Sequence, residues 1–86
     1  MDYKQHQIFR RLDGDVAIYV CLERIEDSQF AVHQMEFVPT TQLKSSTAEI
    51  DATFFELFSE ESPDTRCDWF PSLRAAIDAH DKEFEN

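Results

Sequence analysis

In the stretch VAIYVCLERI, residues 16–25, apolar side chains recur at every second position. Val16, Ile18, Val20 and Leu22 fall on one face, the pattern of a strand with one side against a core. Ala17, Tyr19, Cys21 and Glu23 take the other face, which is mixed and expected to be partly covered. Directly upstream stands Asp13-Gly14, which holds the only glycine of the chain. This pair is the strongest short-range hairpin signal, and a type I′ turn there requires positive φ at both central residues. An earlier strand over residues 5–12 is therefore expected to pair with residues 15–25. It sets Ile8, Arg10 and Leu12 on one face and Phe9 and Arg11 on the other.

A second turn is expected at EDSQ, residues 26–29. FAVHQMEFV, residues 30–38, reads as a third strand, but its apolar phase changes midway. Phe30 and Val32 share one phase, Met35 and Phe37 the other. A β-bulge accounts for such a switch, as does burial of both faces near one end. Pro39 ends the strand because it has no N–H to donate.

From Thr47 onward the period lengthens. Ile50, Phe54, Leu57 and Phe58 stand at i, i+4, i+7 and i+8, which predicts a helix. Ser46 or Thr47 is its expected N-cap, with TTQLKSS (40–46) as a loop before it. Glu49 and Asp51 suit its first turn, and Pro63 closes it near Ser62. TRCDWF, residues 65–70, reads as a short fourth strand or an extended connector. PSLRAAIDAHDKEF, residues 71–84, is a second helix starting at Pro71 or Ser72. Leu73, Ala76, Ile77, His80 and Phe84 form its apolar stripe, and Asp78, Asp81 and Glu85 its outer side. The expected fold is α+β: one domain over residues 1–86, a three-stranded antiparallel β-meander packed against two helices from the C-terminal half. A fourth strand is added if residues 64–70 extend.

Composition supports a packed globule. Hydrophobic residues make up 42% and aromatic residues 13%, with eight phenylalanines, more apolar side chain than a disordered acidic segment carries. Net charge is −10, and it is uneven. Residues 1–43 hold seven acids and four bases (net −3); residues 44–86 hold eleven acids and four bases (net −7). Such a surface repels phosphate backbones, which are bound by Lys and Arg, so no direct nucleic-acid binding is expected. A basic protein partner is compatible with it. The opening MDYKQHQIFRR lacks the apolar core of an export signal. No apolar run reaches the ~18 residues of a membrane span. A cytoplasmic location follows as the expectation, with Cys21 and Cys67 as thiols and no membrane contact.

No catalytic constellation stands out. His6, His33, His80, Cys21 and Cys67 are scattered singly, without zinc-ligand spacing. Cys67 lies between Arg66, which favours a thiolate, and Asp68, which opposes one. One glycine leaves none for a phosphate-cradling loop. So small a meander offers little room for a ligand pocket of a few hundred Å³. No enzyme, cofactor or metal is therefore expected. The expected role is that of an acidic protein-binding module: a regulator, adaptor or inhibitor. Two alternatives stand beside it: a homodimer joined through a sheet edge, and a DNA mimic whose carboxylates replace phosphates in a basic groove. Candidate partner-binding residues are the rings Tyr19, Phe55 and Trp69, provided they cluster at the surface. The acids Glu49, Glu56 and Glu60, on one side of the first helix, complete the set.

Overall fold

The computed structural model describes residues 1–84; Glu85, assigned above to the outer side of the last helix, lies outside the described residues. Three strands, β1 (Tyr3–Arg11), β2 (Asp15–Arg24) and β3 (Gln29–Pro39), form one antiparallel sheet in the order β1-β2-β3. A single 3₁₀ turn at Thr40–Gln42 leads into α1 (Leu43–Glu60). A one-turn helix α2 (Pro63–Arg66) and a connector follow, and α3 (Leu73–Phe84) ends the fold. The α+β meander read from the sequence is the fold observed.

The two long helices cover opposite faces of the sheet. Val16, Ile18, Val20 and Leu22 meet Ile50 and Phe54 of α1, joined by Val38 and by half-buried Tyr3, Phe58 and Trp69. On the reverse face Ala17, Tyr19 and Cys21 meet Ile77 of α3, with Ile8, Val32, Met35 and Leu73 around them. Every residue from Val16 to Leu22 is thus buried. This is why β2 is apolar in both phases: as the central strand it has no solvent face. Each buried Val, Ile or Leu here contributes about 1.5–3 kcal/mol relative to exposure.

The phase switch in β3 is a bulge. Val20 pairs with Gln34 while Cys21 pairs with Val32, so His33 is the extra residue. Both turns differ from the simplest expectation. At Asp13-Gly14 only Gly14 has positive φ (+84°), so the turn is not type I′. Its ends are closed instead by Leu12 N–H donating to Asp15 O (2.8 Å), and Gly14 O accepts from Thr40 N–H (3.1 Å). In the second turn Ser28 takes a left-handed φ of 54°, a conformation costing a non-glycine residue about 1–2 kcal/mol. The Arg24 guanidinium braces that turn through paired bonds to the Asp27 carboxylate, 2.9 and 2.7 Å.

Helix α1 starts four residues before the expected Thr47. The hydroxyls of Ser45 and Ser46 donate back to Gln42 O, and that of Thr47 to Leu43 O. Bonded within the helix in this way, they cap nothing. Pro63 does not simply end α1. It opens α2, with the Ser62 hydroxyl accepting from Asp64 N–H. Residues 64–70 are accordingly not a fourth strand. They hold the last turn of α2 and a connector that touches the sheet at one bridge, Phe30–Phe70, through bonds of 2.7 and 2.8 Å. Ser72 caps α3 by accepting from Ala75 N–H at 3.0 Å.

Candidate protein-interaction surfaces

The three candidate rings do not come together. Tyr19 is 2% exposed beneath α3. Its hydroxyl donates to Asp81 Oδ1 (2.7 Å) and accepts from Arg10 Nη1 (2.8 Å), and Arg10 Nη1 also reaches Asp81 Oδ2 (2.8 Å). Burial raises the Tyr19 phenol pKa, and the neighbouring Asp81 raises it further. For Asp81 burial pushes the pKa up, but the bonds from Arg10 and Tyr19 outweigh it and the carboxyl lies below its ordinary value. Asp81 is therefore no solvated decoration: it ties α3 to β1 and β2. The phase argument that left Tyr19 on a half-covered face had no means of counting the helix on that face.

Trp69 is half-buried on the other side of the sheet. It stacks on Tyr3 at 6.0 Å and receives the Arg24 guanidinium 4.4 Å above its ring. Arg24 also binds Asp64 at 3.0 Å, so Trp69 is occupied in holding the α2 connector. Only Phe55 remains as an exposed ring of the three, 63% exposed. It lies on the outward side of α1, turned away from the Ile50–Phe54 stripe. Glu49, Glu56 and Glu60 are exposed on the same helix. Residues 45–65 hold six acids and no Lys, Arg or His, so nothing on this face neutralises them. At about 100° per residue the three glutamates share one side of α1, and Phe55 lies on the adjoining flank, nearer the side of Lys44 and Asp51.

Two depressions of about 620 Å³ flank the sheet, more room than the chain length suggests. They exist because one helix per face leaves the margins of the sheet uncovered. The first lies between β3, the connector and α3, and includes His33, Arg66, Cys67, Asp68 and His80 in its lining. His33 is 3% exposed, with neither ring nitrogen hydrogen-bonded and its ring 4.8 Å from that of Phe54. Burial, then the charge of Arg66, lowers its pKa, which keeps the imidazole neutral. Burial raises the Cys67 thiol despite Arg66, so it is not an activated thiolate. Cys21, 0% exposed, is pushed up to about 12 by burial. Both cysteines are free. Among the described residues no three His, Cys, Asp or Glu are grouped to hold a metal ion. No helix among them is long and apolar enough to cross a membrane.

The second depression runs between β1 and the first half of α1. Its lining includes Phe9, Val16, Ile18, Leu43 and Ile50. Arg11 and Lys44 supply its cations and Asp51 its one acid. No feature of the hydrophobic pattern announces this groove, because the alternation in β1 separates two faces without showing how far a helix covers either. The excess of bases in β1 was the available signal. No protein-family model matches the chain, and neither a curated protein nor a solved structure matches it.

Proposed function

We propose that this protein is a small non-enzymatic binding module that engages a basic protein through the outward face of α1. The observation that carries this reading is the outward side of α1, where exposed Glu49, Glu56 and Glu60 recur at i, i+7 and i+11 with no ion pair among the described residues, while exposed Phe55 stands on the adjoining flank of the helix. Aromatic side chains are enriched among the few residues that dominate interface energies, and a ring of like charge selects partners of the opposite sign. A basic surface with an apolar notch is the complement. The carboxylates run along the helix for about 16 Å at 1.5 Å per residue, which favours a partner whose basic surface ordinarily holds a nucleic acid.

The test is affinity capture from the lysate of the native host at low salt. A basic partner should be released by ~0.5 M salt, where screening lengths fall to a few Å. Phe55→Ala, and separately a Glu49→Gln/Glu56→Gln/Glu60→Gln protein, should each lose it. Duplex DNA should compete if the partner's surface is a nucleic-acid site. A partner retained by both variants would show that binding lies elsewhere on the molecule.

A further inference from the structure

The sheet has two outer edges, β1 and β3, and among the described residues no backbone group outside the sheet bonds to the β1 edge. β1 pairs with β2 alone, whereas the start of β3 is bridged by Phe70. The register identifies the free groups. Leu12 N–H bonds Asp15 O at one end of the hairpin, and Ile25 N–H bonds Asp2 O at the other. Antiparallel hydrogen-bonded pairs alternate, so the even-numbered residues of β1 bond β2. Tyr3, Gln5, Gln7, Phe9 and Arg11 therefore turn their N–H and C=O groups outward. The same residues carry their side chains on the α1 face, where the second groove lies.

The charge of this edge is opposite to that of the whole. β1 holds Lys4, Arg10 and Arg11 and no acid, in a chain of net charge −10. Arg10 is bound to Asp81. Lys4, Arg11 and the neighbouring Lys44 have no carboxylate within 4 Å among the described residues. Phe9, 59% exposed, lines the groove with Arg11 and Lys44. Charged residues on an edge guard against stray pairing, but a positive guard excludes neutral and basic strands and admits an acidic one.

We propose that the β1 edge, with its flanking groove, binds an extended acidic and apolar peptide segment of another protein by strand addition. The incoming strand pairs with the outward groups of Tyr3 to Arg11. Its alternate side chains enter the groove beside Phe9 and Ile18. Its carboxylates meet Arg11 and Lys44. A second copy of this chain is the poorer occupant, because two β1 strands would bring three cations each and no acid to the seam.

The experiment selects a phage-displayed library of random 12-residue peptides on the immobilised full chain. Recovered peptides are then measured by fluorescence anisotropy in ~0.1 M salt. Enriched sequences should alternate Asp or Glu with Ile, Val, Leu or Phe. Gln7→Pro removes one outward N–H from an edge position that tolerates proline and should weaken binding roughly tenfold or more, since one buried bond and its geometry are lost. Arg11→Glu should weaken it at least as much, while Lys82→Glu, the same charge change on α3, should leave it within about twofold. If Gln7→Pro fails to fold, judged by circular dichroism, the Arg11 and Lys82 comparison decides alone. Absence of enrichment, enrichment of neutral or basic peptides, equal loss in Arg11→Glu and Lys82→Glu, or a wild-type dimer that Gln7→Pro returns to monomer would each overturn the proposal.

Discussion

Replacing Tyr19 by Phe tests whether a polar knot holds α3 on the sheet. Helix α3 buries only Ala76 and Ile77 fully, so apolar burial gives it a thin anchor. The Tyr19 hydroxyl donates to a carboxylate at 2.7 Å and accepts from Arg10 at 2.8 Å. A hydrogen bond to a charged group contributes about 1.5–3 kcal/mol. Two effects reduce that figure in Tyr19→Phe: Arg10 keeps Asp81, and the Asp81 side chain, 30% exposed, can take a water in exchange. The expected loss is about 1–2 kcal/mol, against a total of about 4–13 kcal/mol for a chain of this length. In thermal melts that is a fall of about 4–16 °C.

The pH dependence separates this account from simple loss of packing. The folded pKa of Asp81 is depressed, so its contribution to stability is present above its unfolded pKa of about 3.9 and is lost as pH falls through the folded value. Tyr19→Phe removes one of the bonds that depress it. The gap between wild type and variant, measured by urea unfolding from pH 7 down to pH 3, should therefore narrow below about pH 4. A gap under about 0.5 kcal/mol at pH 7, or one that stays constant to pH 3, would refute the reasoning.

Wild-type stability should also fall between pH 7 and pH 5.5, because His33 has a depressed pKa in the fold and an ordinary one near 6.5 when unfolded. The unfolded chain then takes up the proton, with a slope no steeper than about 1.4 kcal/mol per pH unit, and His33→Leu should flatten that part of the curve. Cys21, its thiol pushed up to about 12 by burial, should resist a thiol reagent at pH 8 in the native state and react in urea; prompt native labelling at that position would contradict its place in the core.

The strands were legible because their signals are local. A lone glycine beside an aspartate, alternation in β2 and a phase slip in β3 each follow from backbone geometry that needs no distant partner. The bulge is the clearest instance: Val32 and Met35 disagree in phase, and His33 absorbs the difference. What stayed hidden depends on three-dimensional context. Ser46 and Thr47 look like caps, and only the carbonyls of the preceding turn show that they bond inward. Tyr19 and Asp81 are separated by 62 residues, and neither carries a mark in the sequence that names the other. Trp69 has the chemistry of an interface ring, but Arg24 and Tyr3 already pack on it within the fold. Phe55 was placed correctly outside the stripe because a helix turns about 100° per residue, and its neighbour Phe54 had taken the inward position.

The exposed rings follow from the same architecture. A central strand buried on both faces needs one helix on each side, and β2 with α1 and α3 meets that need using Ile50, Phe54 and Ile77. Phenylalanines beyond that requirement remain outside: Phe9 on β1, Phe37 on β3, Phe55 on α1 and Phe84 on α3 are all about three-fifths exposed or more. Phe37 and Phe84 line the first depression together, whereas Phe9 lines the second, between β1 and α1. Phe9 shares its groove with Arg11 and Lys44, and Phe55 borders the side of α1 that carries Glu49, Glu56 and Glu60. The core keeps Ile50, Phe54 and Ile77 if Phe9 is removed, whereas removing Phe55 also takes away an edge-to-face contact on Phe54, with ring centroids 5.2 Å apart.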